Sequence, residues 1–281
     1  MGLKIRTPLR YPGGKARALK KILPRIPIDF DEFREPFVGG GSVFIAAKQA
    51  RDTSVFKIND LNYDLFCFWK QLRDNSEDLI EEILKIKNQS LDGRSLHKNL
   101  IAEASNKKSE FETAVRFFIL NRITFSGLSG SGGYSQESFE KRFTMSSIER
   151  LKNLTKLMPD VEITNEGYEK LIEMDGDNVF IFLDPPYFNS RDSRLYGAKG
   201  NLHQSFNHKD FAKLMEKCNH NWLITCDDSP EIRDLFNFAQ ISTWELQYGV
   251  NNQKILSNVK RTAKKGKELF IYNYDLSPSF F

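Results

Sequence analysis

The sequence predicts an α/β fold, an open sheet of the nucleotide-binding kind that carries a mainly helical insert. Three observations predict it. The run Val179-Phe180-Ile181-Phe182-Leu183 is short, β-branched and aromatic, as a buried central strand is, and it ends in Asp184-Pro185-Pro186-Tyr187. Upstream, Phe33-Arg34-Glu35-Pro36-Phe37 reads as a strand that runs through Val38-Gly39-Gly40-Gly41-Ser42 into the helical start Val43-Phe44-Ile45-Ala46-Ala47. Between these regions, residues 63–159 change to helical spacing.

Length and composition bound the answer. The 281 residues can bury a full α/β core, and 40% hydrophobic with 28% charged residues is the balance of a soluble globular protein. A formal net charge of +4 is mild, so where the cations lie matters more than their sum. Cys67, Cys218 and Cys226 lack paired spacing and are expected to be reduced thiols of a cytosolic protein. His97, His203, His208 and His220 show no zinc-ligand spacing, and no metal site is expected. The N-terminus is basic and soon polar, and no run reaches the length of a membrane helix.

The chain begins with Arg10-Tyr11-Pro12-Gly13-Gly14-Lys15, an aromatic and a Gly-Gly turn flanked by cations, before a helix expected over Ala16 to Leu23 that stops at Pro24. The spacing is not that of a phosphate loop. Tyr11 and Lys15 suit a lid over a ligand; a surface turn with solvated cations is the plainer alternative. After the glycine loop, Val55 to Asp60 forms a strand ending in an acid, about 20 residues on, where a carboxylate takes a ribose hydroxyl pair. No Gly-x-Gly-x-x-Gly pattern is present, which favours an adenosine ligand without a pyrophosphate.

In the helical region, Leu65, Phe66, Phe68, Trp69 and Leu72 share one face, and Leu79, Ile80, Ile83 and Leu84 another. Ser109-x-x-Glu112 and Ser146-x-x-Glu149 read as capping boxes. Between them, Thr124 to Tyr134 is rich in Gly and Ser yet carries Phe125, Leu128 and Tyr134, too apolar for a linker. Strands are expected again at Val161 to Thr164, Trp222 to Cys226 and Leu269 to Tyr274. The loop from Phe188 to Ser205, with Arg191, Arg194, Tyr196 and Lys199, is long enough to close over a substrate. Asn207 should cap one helix and Asp228-Ser229-Pro230 start another. A cationic stretch with Lys260, Arg261, Lys264 and Lys265 precedes the last strand and is expected to hold phosphates.

Asp184 stands at the carboxyl end of a strand, where open α/β sheets bind ligands. The two prolines stiffen the turn and leave their carbonyls free to accept, and Tyr187 adds a ring. One acid, one acceptor turn and one ring suit a flat heterocycle bearing an amino group.

Arg10 to Lys15, Glu35-Pro36-Phe37-Val38-Gly39-Gly40-Gly41-Ser42, Asn121-Arg122 with Gly127-Leu128, and Asp184-Pro185-Pro186-Tyr187 together resemble the Dam-type (alpha-group) adenine DNA methyltransferases, in that family's order and over nearly the whole chain. The resemblance implies a Rossmann-like methyltransferase sheet formed by residues 1–62 and 160–281, with 63–159 as target-recognition domain. It implies S-adenosylmethionine as donor and an adenine in double-stranded DNA as acceptor. Catalysis would fall to Asp184, Pro185, Pro186 and Tyr187. Donor binding would fall to Tyr11, Lys15, Phe37, Gly39, Gly41, Asp60 and Asp184. DNA contacts are expected from Arg10, Arg122, Phe125, Ser126, Leu128 and Tyr134 besides the terminal cations. Where members specific for GATC carry an arginine that reads guanine, this chain has Gly130, so its target cannot be copied from theirs. A monomer or weak dimer is expected, in the cytoplasm and on nucleoid DNA, with a separately acting restriction endonuclease as a compatible partner. Two other readings stay open here: methylation of RNA or a protein amide, which the insert and the basic stretch disfavour, and a DNA-binding regulator, which has no use for Asp184 or the glycine loop.

Overall fold

The computed structural model describes residues 5–51, 54–103, 108–128, 132–188, 206–247 and 265–276. Among these, seven strands form one sheet: β1 (Glu32–Glu35), β2 (Val55–Asn59), β3 (Val161–Thr164), β4 (Val179–Leu183), β5 (Asn221–Asp227), β6 (Gln240–Gln247) and β7 (Lys265–Tyr272), in the order β3-β2-β1-β4-β5-β7-β6. The first five run parallel, and β7 enters antiparallel between β5 and β6. From β1 the chain proceeds outward to β2 on one side, whereas β4 lies on its other side. The β1–β4 boundary is therefore the switch point of the sheet, and the loops leaving the carboxyl ends of these strands splay apart to leave a crevice.

The central strand β4 is buried along its whole length, and its alternation divides the core. Phe180 and Phe182 face a cluster with Phe33, Phe56 and the helices of the insert. Val179, Ile181 and Leu183 face a second cluster with Phe211, Met215 and Trp222. Helix α2 (Ser42–Ala50) follows the glycine loop and is buried on nearly every residue. Before it, α1 is a single turn (Leu19–Ile22) flanked by 3-10 turns at Lys15–Arg17 and Leu23–Arg25. The continuous helix expected over 16–23 is thus broken, and Pro24 opens the second 3-10 turn, where its missing N–H costs nothing.

Between β2 and β3 lie α3 (Tyr63–Asp74), α4 (Ser76–Gln89), α5 (Gly93–Ala102), α6 (Glu110–Ile123), α7 (Gln136–Arg142) and α8 (Met145–Leu154). Helix α6 is apolar on almost all sides and is buried all round, with Phe118 stacked on Phe68 of α3 at 5.9 Å between centroids. The capping box at Ser109 and Glu112 is formed as expected. The second box is not where the pattern put it. Thr144 and Ser147 cap α8, and Ser146 and Glu149 lie inside the helix.

After β3, α9 (Tyr168–Glu173) precedes β4. Helix α10 (His208–Lys217) is capped by Asn207, and α11 (Pro230–Leu235) by Ser229 with Pro230 in its first turn. The edge strand β6 was not foreseen. Its apolar residues, Ile241, Trp244 and Leu246, do not alternate, and the polar residues among them mask the strand. Among the described residues no helix is long and apolar enough to cross a membrane.

Candidate active site

The crevice at the switch point is a cavity of about 840 Å³, within the usual range for small-molecule sites. Its wall joins the N-terminal segment, the glycine loop, Asp60 and the Asp184–Tyr187 turn.

The glycine loop is shaped by what packs against it. Gly39 and Gly41 adopt left-handed φ values of 47° and 66°. A Cβ at Gly39 would lie 2.8 Å from the Tyr11 ring, and one at Gly41 2.7 Å from the Trp69 ring. Trp69 of α3 also donates its indole N–H to the Gly39 carbonyl at 3.2 Å. Tyr11 thus rests on the loop from the cavity side and Trp69 supports it from the insert.

Asp60 completes this wall. Its Oδ2 accepts from the Gly39 N–H at 3.0 Å and its Oδ1 from the Asn62 N–H at 2.9 Å, while burial pushes its carboxyl up to about 6 despite those bonds. The neighbouring Asn59 is fully engaged. Its Nδ2 donates to the carbonyls of Pro36 (3.1 Å) and Glu166 (3.0 Å), and its Oδ1 accepts from Thr164 Oγ1 (2.8 Å) and the Glu166 N–H (2.9 Å). One amide at the end of β2 therefore joins the loop that follows β1 to the end of β3 and the loop beyond it. Phe37 leans on Tyr168, centroids 5.2 Å apart, and forms the apolar side of the cavity.

Across the crevice, Lys15 Nζ lies 2.6 Å from both oxygens of Asp184 and donates to the Gly13 carbonyl at 3.0 Å. Thr225 Oγ1 of β5 donates to Asp184 Oδ1 at 2.9 Å. The rest of the turn is fixed from three elements. The Tyr187 hydroxyl donates to Glu268 Oε2 of β7 at 3.0 Å, the Phe188 N–H to Asp227 Oδ1 of β5 at 2.9 Å, and His208 Nε2 of α10 meets the Pro186 carbonyl at 2.9 Å. The Lys15 ammonium also stands 4.9 Å above the centre of the Tyr187 ring.

Glu35, at the end of β1, is 3% exposed; the Phe44 N–H donates to its carboxyl, but Oε2 has no partner. Burial, and next the Asp184 charge, push its carboxyl well above the ordinary range. Sequence reasoning passed over Glu35, Asn59, Thr225 and Glu268. The glutamate sat inside the quoted Glu-Pro-Phe stretch, and its position at the end of a buried strand was the available signal.

All the residues expected to bind the donor, Tyr11, Lys15, Phe37, Gly39, Gly41, Asp60 and Asp184, line this one cavity, as do Arg10, Pro185, Pro186 and Tyr187. Lys15 is turned onto Asp184 and not toward open space. The residues expected to contact DNA divide. Phe125 and Ser126 are exposed, Leu128 and Tyr134 half-buried, at the base of a loop closed by the Thr124–Tyr134 bridge. Arg122 is a correction: it is 4% exposed, and its guanidinium donates to the carbonyls of Pro8 (2.6 Å) and Arg142 (2.9 and 2.8 Å). A side chain held in this way cannot reach a base. Arg10 is half-buried and donates to Thr124 O and Ser138 Oγ, both at 3.0 Å. Lys260, Arg261, Lys264, Gly130 and residues 189–205, expected to close over a substrate, lie outside the described residues, and Lys265 is the first residue of β7.

Comparison with known proteins agrees with this geometry. The family profile described as D12 class N6 adenine-specific DNA methyltransferase matches residues 11–250. The type II methyltransferase M1.LlaDCHI of Lactococcus lactis subsp. cremoris is 25% identical over 97% of this chain and 96% of its own. The type II methyltransferase M.MjaIII of Methanocaldococcus jannaschii is 26% identical over 77% and 90%. The DNA adenine methylase of Haemophilus influenzae is 26% identical over 89% of each. An enzyme that methylates adenine in DNA accounts for the acid, the acceptor turn and the ring together, and the chain belongs to the D12 class of N6 adenine-specific DNA methyltransferases.

Proposed function

We propose that the cavity takes S-adenosylmethionine and that the Asp184–Tyr187 turn receives an adenine extruded from double-stranded DNA. One observation carries this reading: Asp184, the glycine loop and Asp60 share a single cavity at the switch point of the sheet. The residues fit the donor. Carboxyl groups, Glu35, Asp60 and Asp184 among them, outnumber cations in the lining, a balance suited to a ligand with sulfonium and ammonium charges, and Glu35 Oε2 is buried without a partner. The bound donor supplies an electrophilic methyl carbon.

The chain's own residues do the rest. An adenine amino nitrogen is a poor nucleophile because its lone pair is delocalised into the ring. The Asp184 carboxylate and the Pro185 carbonyl accept its two protons, favour a pyramidal nitrogen, and leave Asp184 placed to take the proton that the nitrogen sheds. Asp184 Oδ2, which accepts from Lys15 but not from Thr225, keeps acceptor capacity for the amino group. Tyr187, its ring fixed through Glu268, is the stacking face, worth about 1–3 kcal/mol for a base. A base inside a duplex cannot reach the turn, so it must be flipped out. Residues 63–159 serve target recognition, through Phe125, Ser126, Leu128 and Tyr134. A cytoplasmic role beside a separate restriction endonuclease fits relatives named type II methyltransferases.

The test is incubation of unmethylated duplex with labelled donor, followed by nucleoside analysis, for wild type and Asp184→Asn. Wild type should yield N6-methyladenine. The variant, assayed at saturating donor, should be slower by about 10- to 150-fold, the loss of one charged hydrogen bond. Label on another base, or an unaffected variant, would sink the assignment.

A further inference from the structure

Four arginines, Arg10, Arg122, Arg142 and Arg150, gather at the foot of the Thr124–Tyr134 loop. Arg122 lies buried at the end of α6, and its fork grips the carbonyl of Arg142, the last residue of α7. That carbonyl is at a helix C-terminus, where a cation is favoured. The bond also fixes the backbone from which the exposed Arg142 side chain projects. Arg150 follows on α8, exposed, its Nε donating to the Ser146 carbonyl at 3.3 Å. Arg10 closes the group from the cavity side. Burial lowers Arg122 to about 9, and Arg10, Arg150 and Arg142 each push it further down, which places the three charges within electrostatic range of it. Glu137, whose charge acts on Arg10, pairs with Lys141 at 3.2 Å. Among the described residues none of the four arginines forms an ion pair.

Repulsion of this kind costs stability in the free protein and is relieved by an anion outside it. The foot of the loop is physically continuous with the cavity mouth. Asn121 Oδ1 accepts from the Arg10 N–H (3.0 Å), and its Nδ2 donates to the carbonyls of Arg10 (2.7 Å) and Gly127 (3.0 Å).

We propose that Arg142 and Arg150 form a seat for the phosphate backbone of duplex DNA, with Arg122 as the buried positioning residue beneath them. This rests on the reading of the chain as an enzyme acting on duplex DNA. The seat has no access to base edges through Arg122, so it anchors register and carries no sequence preference.

The experiment measures duplex binding by fluorescence anisotropy across a salt series for wild type, Arg142→Gln, Arg150→Gln and the double variant. Both positions are exposed, and donor affinity by calorimetry checks that the cavity is intact. Each substitution should lower the log–log salt slope by about 0.9 and the pair by about twice that, alike for related and unrelated duplexes. Wild-type slopes in the double variant, or a loss confined to one sequence, would overturn the seat while leaving the enzymatic reading in place. Failure of the wild-type protein to bind any duplex would overturn both.

Discussion

Lys15 holds Asp184 by both carboxylate oxygens at 2.6 Å, with the lysine 4% and the aspartate 20% exposed. The pair joins the first turn of the chain to the end of the central strand, and it keeps a cation among Glu35, Asp60 and Asp184. Breaking a buried pair from one side leaves the other charge uncompensated. Lys15→Met should therefore lower unfolding free energy by about 2–4 kcal/mol, less than a fully buried pair because Asp184 keeps some water. Adding Asp184→Asn should recover part of that loss. Denaturant melts of the four members of the cycle read it directly, and additive effects would show that the two side chains do not stabilise each other.

Glu35 gives a pH dependence with a defined sign. Its folded carboxyl is held well above the ordinary 4.5 by burial and by Asp184. A folded value above the unfolded one means that the neutral group contributes its stability fully below the unfolded value. That contribution is lost as pH rises through the folded one. Glu35→Gln imitates the neutral form, so its advantage over wild type should grow from pH 5 upward and disappear at more acid pH. Parallel stability curves for the two proteins across that range would refute it.

Asp60 should govern donor affinity. Its carboxyl titrates at about 6, and a ribose hydroxyl pair prefers the ionised form. Binding measured by calorimetry should weaken as pH falls below that value, approaching tenfold per unit for a single proton. Asp60→Ala should weaken binding at pH 7.5 by about 1.5–3 kcal/mol and remove the pH dependence. Unchanged donor binding would leave Asp60 as a brace for Gly39 and Asn62 alone.

The sheet and its ligand crevice were legible because they rest on local signals. The β-branched run 179–183, the glycines with the acid at Asp60, and the Asp184-Pro185-Pro186-Tyr187 turn each announce a strand end. What was not legible depends on partners distant in the chain. Arg122 reads as a cation beside a loop, and only the fold brings Pro8 and Arg142 to its fork. The bond from Lys15 to Asp184 likewise needs β4 to stand opposite the N-terminal turn. Glu268 falls in a basic stretch, and its service to Tyr187 requires β7 to insert beside β5. Thr144 caps α8 in place of Ser146 because a second Ser/Thr pair, Thr144 and Ser147, overlaps the first in sequence and makes the reciprocal cap bonds.

Specificity should lie in the loop that Gly127 anchors. Gly127 has φ 77°, and a Cβ there would meet the Arg10 carbonyl at 2.2 Å, so the loop is fastened to the N-terminal segment at that point. Just before it, Ser126 is exposed with φ 54° and Phe125 is 62% exposed, a polar and an apolar side chain presented outward together. A hydroxyl can read a base edge and a ring can wedge into the stack from which the target leaves. A direct base contact is worth about 1–3 kcal/mol of discrimination, enough to change which sites are modified. Ser126→Ala and Phe125→Ala should therefore redistribute methylation among sites while leaving donor affinity within a few-fold of wild type. Arg122→Leu should instead lower stability by about 2–4 kcal/mol, because the carbonyls of Pro8 and Arg142 lose their donor, and should leave site choice unaltered. Mapping methylated adenines on a plasmid separates the outcomes. With Gly130 in place of a guanine-reading arginine, strict GATC modification is not expected; modification confined to GATC and unmoved by either loop substitution would place recognition elsewhere in the chain.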